Sequence, residues 1–400
     1  MAGPNSVGSR LVLQAMRPDM AENHGDQGLE VRAQRALAWL FDDALPLWST
    51  AGRNPRGGWF DRLDDEGRPV AGPMRMRVQA RQVFVFAEAG RLGWTGPWRE
   101  MVDHGLAFLT ERATREDGVA AHSFAAEDGA VLEPGPELYD QSFTLLAYAA
   151  AFGATGDRRA KAAGIRLYDA LQGQAHPEGG YREFDSPLLK SNPQMHMFEA
   201  ALAWMDADDD PRWTALARSL ATLCAHRLYD PASDALHEIF NDDWRRAPSP
   251  AGDVTEPGHH FEWAWLLAER ELGSPVDLPG RLCARAERFG VDASRGVAVN
   301  AMDPWGTVLD GDARLWPQAE RLKAALMMRA HDHNLWTVRA CAAHDAMFAY
   351  IDAAPRGLWR DVILTDGAVR PESAPASSLY HITCAVSQLA QATGVVQARW

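Results

Sequence analysis

The chain has 400 residues, of which 46% are apolar and 24% charged, so it can bury a sizeable core in one or two domains. Its 54 acidic and 40 basic residues give a formal net charge of −14, and no basic run compensates locally. This balance argues against nucleic acid or an anionic membrane surface as a partner.

The cysteines and the N-terminal residues bear on where the protein is located. The four cysteines form no CxxC pair, which favours reduced core side chains over disulfides or a zinc site. Residues 1–28 lack the apolar segment of a secretory signal, and their Gly, Asn, Asp and Met content predicts a loose leader. The least charged stretch, residues 141–156, is too short and too polar to span a bilayer. We therefore expect a cytoplasmic protein without a membrane partner.

Apolar residues recur with helical periodicity from Leu29 to the C-terminus, whereas strand signals are nearly absent. The pattern predicts about twelve helices in six consecutive pairs, and hence an all-α fold. The predicted ranges are 29–49, 74–92, 97–113, 137–152, 158–172, 193–205, 211–228, 259–272, 277–289, 316–328, 332–350 and 377–393.

Long connections rich in Gly and aromatic residues follow alternate helices, while the other connections are short. The long connections are 53–73, 114–136, 173–192, 229–258, 290–315 and 354–376. Loops at such regular intervals would lie at one end of a closed double ring of helices. We therefore predict an (α/α)6 barrel with its active site at the long-loop end. An open helical solenoid is an alternative, although no fixed-length repeat is present. No Ser/Pro-rich linker divides residues 29–400, which we interpret as a single domain.

Tryptophan is abundant, with 15 residues, and its flat apolar face suits both core packing and stacking on a sugar ring. The segments 57–64 and 179–183 are typical of β-hairpin-like turns that carry aromatic residues. Such turns could simply plug the end of the barrel. Trp59, in the first of them, is the residue that we expect to contact a ligand.

Polar residues open alternate helices, where a barrel lining would be apolar. In chain order, these openings contain Arg77, Gln79, Arg81 and Gln82; Tyr139, Asp140 and Gln141; Asn192, Gln194 and His196; His259 and Glu262; Trp316, Gln318 and Glu320; Tyr380 and His381. In an (α/α)6 barrel these helix starts converge on one cavity, which predicts a shared site.

One of these openings holds two adjacent histidines. Pro257 and Gly258 precede a buried helix, so His259 and His260 stand at its start. Glu262 falls on the same face as His259, one turn later. A carboxylate beside an imidazole fixes its tautomer and raises its basicity, which suits a proton-transfer catalyst.

The set of polar groups limits the chemistry. Histidines, carboxylates and arginines suit proton transfer on an uncharged polar substrate. A nucleophile elbow, a dinucleotide fingerprint and a GxxxxGK loop are all missing from the sequence. His and Glu could ligate a metal, but no helix carries an HExxH-type set. We therefore expect neither a metal nor a cofactor.

Each group also has a structural alternative. His196 could be a hydrogen-bonded core residue, and Arg81 could form a structural ion pair. Glu320 could pair with Arg321 or Lys323. The joint placement of these groups at alternate helix starts is what favours the functional interpretation.

Six ordered motifs resemble those of the N-acylglucosamine 2-epimerase family, which includes mannose isomerases and cellobiose 2-epimerases. The motifs are GGWFDRLD, VQARQVF, NPQMHMFEA, EPGHHFEWAW, RLWPQAERLKAA and SSLYHI, and they extend over residues 57–382. The family fold is the (α/α)6 barrel, in agreement with the predicted helix count.

The resemblance implies roles for nine residues. Those that it assigns to catalysis are His259, His381, Arg81 and Glu262. Those that it assigns to substrate binding are Asn192, His196, Glu320, Trp316 and Trp59. His260 lies where the family varies and receives no role.

The resemblance also implies a reaction on a small sugar. His381 would remove the C2 proton of an open-chain aldose, Arg81 would stabilise the enediolate, and His259, supported by Glu262, would be the second acid or base. Return of the proton to C1 gives a ketose, whereas return to the opposite face of C2 gives an epimer. We favour isomerisation of a free monosaccharide such as mannose, by a monomer or homodimer.

Three other functions stay open at this point. The first is a 2-epimerase of a free or N-acylated aldose or of the reducing end of a disaccharide. The second is a glycoside hydrolase or lyase with Glu262 and Glu320 as its carboxylate pair. The third is a non-catalytic sugar-binding protein.

Overall fold

A computed structural model describes residues 18–396 of the chain, with side chains from residue 25 onward. It contains thirteen α-helices, and each of the twelve predicted ranges is largely helical. The helices are α1 (Pro18–Ala38), α2 (Leu45–Thr50), α3 (Met76–Leu92), α4 (Trp98–Phe108), α5 (Leu138–Thr155), α6 (Arg158–Leu171), α7 (Ser191–Ala207), α8 (Pro211–Leu223), α9 (Pro257–Glu269), α10 (Leu278–Phe289), α11 (Leu315–Met328), α12 (His333–Asp352) and α13 (Ala376–Ala392).

Single π-helical turns extend three of the helices at their C-terminal ends. They are Trp39–Ala44, which joins α1 to α2, Leu109–Ala113 after α4 and Cys224–Leu228 after α8. Two short 3₁₀ turns lie at Gln172–Gln174 and Ala251–Asp253. These turns account for most of the difference between the predicted and observed helix ends.

The first helix begins earlier than predicted. The prediction of a loose leader over residues 1–28 differs from the structure at residues 18–28, which belong to α1. Tertiary contacts hold this part of the helix, because Asp26 lies 2.5 Å from Arg329 and Leu29 is fully buried. Residues 1–17 lie outside the described residues.

The helices form two concentric rings. The inner ring consists of α3, α5, α7, α9, α11 and α13, whose buried residues lie on nearly all sides. The outer helices α4, α6, α8 and α10 bury one stripe only, as expected of surface helices. Because α13 packs against α3, the inner ring closes, and an open solenoid is excluded.

Short antiparallel strands connect the long loops to one another. The pairs are β1 (Arg62–Leu63) with β15 (Ala374–Pro375); β3 (Ser123–Phe124) with both β2 (Met74–Arg75) and β4 (Val131–Glu133); β5 (Leu189–Lys190) with β8 (Ile239–Phe240); β6 (Tyr229–Asp230) with β7 (Ala235–Leu236); β9 (Val291–Asp292) with β10 (Val297–Ala298); β11 (Ala301–Met302) with β12 (Val308–Asp310); and β13 (Ala313–Arg314) with β14 (Val362–Ile363). The pair β1–β15 joins the first long loop to the last one. The pairs β1–β15, β2–β3, β5–β8 and β13–β14 join different loops, whereas the other four pairs each lie within one loop.

Glutamines at the inner helix starts fasten these loops. The Gln79 side chain accepts the N–H of Trp59 at 2.7 Å and donates to its carbonyl at 3.0 Å. The same double hydrogen bond recurs in three further pairs: Gln141 with Ala120, Gln194 with Tyr181, and Gln318 with Ala298. These four glutamines of the polar openings are thus backbone clamps rather than catalytic groups.

The clamps explain the double glycines of two hairpins. Gly58 has a φ of +73°, and a Cβ there would lie 2.3 Å from the Gln79 Oε1 atom. Gly180 has a φ of +74°, and its Cβ would lie 2.7 Å from Gln194 Oε1. Only glycine combines this left-handed backbone with so close an approach.

The buried apolar side chains of the described residues form one cluster that extends from Leu29 to Ala390. No helix among residues 18–396 has the length and apolar character needed to cross a membrane.

Candidate active site

A cavity of about 140 Å³ lies at the long-loop end of the barrel, where the inner helices begin. Its lining residues are Arg81, Tyr139, Asn192, His196, Glu256, His259, Glu262, Arg314, Trp316, Ser377, Ser378 and His381. All six inner helices or the residue just before them contribute to it, so the predicted convergence of the polar openings is observed. Seven of the nine predicted site residues line this cavity.

Backbone geometry favours polar ligands at this end. Each inner helix follows directly on extended backbone, and none of the six has a side-chain N-cap among the described residues. The positive ends of the helix dipoles therefore lie at the cavity end, while the first N–H groups of α3, α7, α11 and α13 donate to carbonyl groups of the loops. The outer helices α6, α8 and α12, in contrast, are capped by Asp157, Asp210 and Asp332.

Trp59 does not belong to the site, contrary to the prediction. Its side chain is fully buried, stacks on Phe86 at 5.8 Å and meets the edge of His104 at 5.3 Å. The Gln79 clamp turns the backbone of Trp59 into the barrel wall, where neither face of the indole can meet a sugar.

Glu320 also lies outside the cavity lining, directly behind His381. The carboxylate is fully buried, and its Oε1 accepts a hydrogen bond from His381 Nδ1 at 2.7 Å. Its Oε2 lies 2.7 Å from the ammonium nitrogen of Lys323. The predicted direct contact of Glu320 with the substrate is therefore corrected: Glu320 binds His381, which lines the cavity.

His381 has its second ring nitrogen, Nε2, available to a ligand, because Nδ1 is bound to Glu320. Burial lowers the pKa of His381 well below its ordinary value, and the charges of Arg81 and Lys323 lower it further. The imidazole is thus neutral near pH 7 and carries a lone pair on Nε2.

His259 stands in the opposite electrostatic environment. Its Nδ1 lies 3.0 Å from Glu238 Oε2 and 3.9 Å from Glu256 Oε2. Burial by itself would lower the pKa of His259, but the carboxylates of Glu238, Glu256 and Glu262 outweigh it and raise the pKa to about 10. His259 is therefore an imidazolium near pH 7, with a proton on Nε2.

The predicted pairing of His259 with Glu262 is thus corrected to a pairing with Glu238. Glu262 Oε1 lies instead 3.8 Å from His196 Nδ1, and it makes no hydrogen bond among the described residues. Burial, together with the charges of Glu320 and Glu199, raises the pKa of Glu262 well above its ordinary value.

The neighbouring histidines His196 and His260 are both neutral but differ in position. Burial lowers the pKa of each to about 4. His260 is used entirely by the fold, because its Nε2 accepts the N–H of Leu236 and its Nδ1 donates to the carbonyl of Glu256. His196 is held by Glu199 at 3.0 Å and lines the cavity.

Arg81 and Trp316 complete the site. The Arg81 guanidinium donates to the hydroxyl of Tyr139 at 2.7 Å and lies over the ring of Phe143, 4.0 Å from its centroid. The Trp316 indole contacts both catalytic candidates, with its centroid 5.1 Å from that of His259 and 5.6 Å from that of His381.

Several buried polar atoms of the cavity lining have no protein partner. Asn192 Oδ1, Glu262 Oε1 and Arg81 Nε make no hydrogen bond among the described residues. Each such group costs about 1–3 kcal/mol if it stays unsatisfied in a buried site. A ligand rich in hydroxyl groups would supply the missing partners.

Three sets of side chains around the cavity could be considered for a metal ion. They are Glu238, Glu256 and His259; His196, Glu199 and Glu262; and Glu262, Glu320 and His381. In each set the His Nδ1 atom is already bound to a carboxylate, and in the last set the ammonium of Lys323 lies on that carboxylate. A metal ion would have to break these hydrogen bonds and this ion pair in order to bind. The absence of a metal from the active enzyme stays a prediction.

Sequence reasoning missed Glu238, Glu199 and Lys323 as parts of the site. Glu238 lies 21 residues before His259, in the long loop between α8 and α9, and no local spacing connects the two. Glu199 stands one turn after His196, a spacing that would have indicated their contact.

Comparison with known proteins places these observations in a family. The model of the family described as N-acylglucosamine 2-epimerase matches residues 58–385. A protein of Rhizobium meliloti (strain 1021) named mannose-6-phosphate isomerase is 38% identical over 377 residues, which cover 90% of this chain and 97% of that protein. A D-mannose isomerase of Thermobifida fusca is 32% identical and covers 73% of this chain and 78% of its own length.

Solved structures show the same fold. The crystal structure of a D-mannose isomerase has a TM-score of 0.79 at 22% identity, and it covers 91% of this chain and 97% of its own. The cellobiose 2-epimerase of Spirochaeta thermophila DSM 6192 has a TM-score of 0.81 at 22% identity, with 92% and 98% coverage. The predicted (α/α)6 barrel is confirmed, and the chain belongs to the N-acylglucosamine 2-epimerase family of sugar isomerases and epimerases.

Proposed function

We propose that the protein interconverts an aldose and a ketose of the mannose/fructose type through an enediolate. One observation carries this proposal. Two histidines line one cavity and both contact Trp316, and their surroundings shift their pKa values in opposite directions. Such a divergence assigns an acid and a base within one site.

His381 is the base in this mechanism. Its neutral Nε2 removes the proton from C2 of the open-chain aldose, and Glu320 accepts the Nδ1–H and fixes the tautomer. While it is on the imidazole this proton exchanges with solvent, and transfer of a proton from His381 to C1 then completes the conversion to the ketose.

His259 is the acid in this mechanism. Its Nε2–H donates a hydrogen bond to the carbonyl oxygen O1 as the C2 proton leaves, and it then protonates the resulting enediolate at O1. Glu238 stabilises the imidazolium through Nδ1. Neutral His259 then takes the proton from O2 as His381 delivers its proton to C1, so the C2 carbonyl of the ketose forms and both histidines regain their starting charge.

Arg81 stabilises the negative charge that develops on O1 and O2. The guanidinium is already oriented by Tyr139 and by the ring of Phe143, so it needs no rearrangement when the charge forms. Asn192, His196 and Glu262 offer hydrogen-bonding atoms for the remaining hydroxyl groups.

A free monosaccharide is the substrate that the cavity favours. Its volume of about 140 Å³ is below the roughly 300–1,000 Å³ typical of drug-sized ligands, so a second sugar would lie outside it. The cations of the lining are Arg81, Arg314 and the His259 imidazolium; Arg314 lies 3.5 Å from the carboxylate of Asp361, and His259 lies 3.0 Å from that of Glu238. This partial neutralisation disfavours a phosphate ester. We expect the enzyme to act as a cytoplasmic monomer or homodimer.

The main alternative is 2-epimerisation, in which the proton returns to the opposite face of C2. The same two histidines would serve both reactions. A glycoside hydrolase that uses Glu262 and Glu320 is disfavoured, because Glu320 is fully buried and bound to His381 and Lys323.

Incubation with mannose in heavy water tests the proposal. We expect fructose with deuterium at C1, and unchanged activity in the presence of a chelator such as EDTA. Glucose with deuterium at C2 would support epimerisation instead, and faster turnover of mannose 6-phosphate would replace the free sugar by its ester. Absence of turnover with free, phosphorylated and disaccharide aldoses would contradict the proposed function.

A further inference from the structure

Lys323 is a buried cation for which the proposed reaction has no direct use. It is one of three lysines in the chain, and its side chain is fully buried. Its ammonium lies 2.7 Å from Glu320 Oε2 and 3.9 Å from the centroid of the Trp265 ring. A buried charge is expensive to desolvate, so a strong electrostatic interaction must hold it there.

The position of Lys323 makes the two histidine–carboxylate pairs of the site unequal. Glu238 binds His259, and its other contacts are the hydroxyl of Ser191 at 2.7 Å and the backbone N–H of Glu256 at 3.3 Å. Those partners are uncharged. Glu320 binds His381 with the same kind of hydrogen bond, but its other oxygen, Oε2, is paired with the positively charged ammonium group of Lys323.

Resting on the proposed function, we propose that Lys323 is a positioning residue for the catalytic base. Its ammonium holds the Glu320 carboxylate behind His381 and cancels its charge, so that His381 stays neutral and able to accept a proton. Without a cation, a carboxylate at 2.7 Å from Nδ1 would favour the imidazolium form of His381, as Glu238 together with Glu256 and Glu262 does for His259.

Charged groups from the neighbouring helices set the strength of this effect. Glu199 on α7 and Glu262 on α9 raise the pKa of Lys323. The thiol of Cys384 on α13 also lies near Lys323, and burial raises the pKa of that thiol well above its ordinary value. His381 is also affected by Arg81 on α3 and by His196 and Glu199 on α7. Arg81 acts in the same direction as Lys323. Removal of Lys323 leaves Arg81 as the only cation among these named groups, against the carboxylates of Glu320, Glu199 and Glu262.

The sign of the expected change follows from these charges. Loss of Lys323 raises the pKa of His381, because Glu320 then stabilises the imidazolium. Activity that requires neutral His381 is lost below this pKa, so the acid limb of the pH profile moves to higher pH. A single opposite charge at this distance shifts a pKa by about 1–3 units.

The test compares the wild type, Lys323→Met, the double variant Lys323→Met/Glu320→Gln and the control Lys161→Met. Lys161 forms an ion pair with Asp208 at 2.7 Å and does not line the cavity. Two quantities are measured: the pH dependence of kcat/KM for mannose, and the titration of His381 by NMR with ¹⁵N-labelled histidine. The NMR titration reports the charge of His381 even if mannose is not the substrate, so it separates failure of this inference from failure of the proposed function.

We expect Lys323→Met to move both the acid limb and the NMR titration of His381 upward by at least about one pH unit. The control should match the wild type. The double variant removes both charges, so His381 should again titrate as in the wild type. An unshifted His381 in Lys323→Met, or an equal shift in Lys161→Met, would overturn the inference.

The double variant also decides the case in which Lys323→Met does not fold. It leaves no unpaired charge behind His381, and a Gln at position 320 can still accept the Nδ1–H. Wild-type-like titration of His381 in this variant supports cancellation of the Glu320 charge by Lys323. A displaced titration would mean that the two charges do not cancel, and would overturn the inference.

Discussion

The two ends of the barrel both contain a cavity, and the larger one is not the site with catalytic groups. The cavity at the opposite end, where the inner helices finish, has a volume of about 600 Å³ against about 140 Å³ at the long-loop end. Its walls are mainly apolar, with Leu146, Leu202 and Trp265 among them, and no histidine lines it among the described residues. The larger volume therefore does not identify the active site; the candidate catalytic groups lie where the inner helices begin.

Glu199 connects the two ends. It lines the larger cavity, and its carboxylate binds His196 Nδ1 and the hydroxyl of Tyr380. Burial alone would raise the pKa of Glu199, but these bonds and the charge of Lys323 lower it. Glu199 therefore forms part of the wall of the apolar cavity and also holds His196, which lines the polar cavity.

Substitution of the catalytic base His381 should cause the largest loss of activity. His381→Ala removes the group that takes the C2 proton, and we expect a loss of about 10²–10⁴-fold in kcat. The rate of fructose formation from mannose measures it, with a thermal melt to show that the fold is retained. A wild-type rate in a folded variant would remove His381 from the mechanism.

Substitution of Glu238 should have an intermediate effect with a defined pH dependence. Glu238→Gln removes the charge that outweighs burial at His259, so the pKa of His259 falls from about 10. Catalysis needs His259 protonated, hence the alkaline limb of kcat/KM moves to lower pH, with about a tenfold or greater loss above pH 8. Glu178→Gln, at a half-exposed glutamate that pairs with Arg227, is the matched control. An alkaline limb that stays in place would contradict the pairing of His259 with Glu238.

A loop clamp should affect stability rather than chemistry. Gln79→Ala leaves the buried N–H and carbonyl of Trp59 without their partner, so we expect the free energy of unfolding to fall by roughly 1–3 kcal/mol. Chemical denaturation measures this change, and Gln34→Ala on the exposed side of α1 is the control. If the remaining folded enzyme lost more than about tenfold in kcat, Gln79 would have a role beyond the clamp.

A substitution in the apolar cavity should have the smallest effect. Ala203→Leu fills part of the larger cavity without touching a residue that binds either catalytic histidine. We expect kcat/KM to stay within about twofold of the wild type, a difference of less than about 0.5 kcal/mol. A large loss would show that the two ends of the barrel are coupled more tightly than through Glu199.

Local patterns in the sequence were sufficient for the architecture. The helical period predicted the helices apart from residues 18–28 of α1, and the alternation of long and short connections predicted the closed double ring, because both depend on neighbours along the chain. The polar helix starts likewise predicted the cavity and seven of its lining residues, including His259 and His381. Motif resemblance then gave the family, which the comparisons confirm.

Only the tertiary structure decided which groups act on each other. Glu262 is the carboxylate one turn from His259 in the sequence, yet a long loop brings Glu238 to that histidine instead. Tryptophan is a residue type that stacks on sugars, yet the hydrogen bonds between Gln79 and the backbone of Trp59 hold this side chain in the core. Hydrogen-bond partners and pKa shifts depend on distances across the barrel, which the order of residues along one helix does not determine.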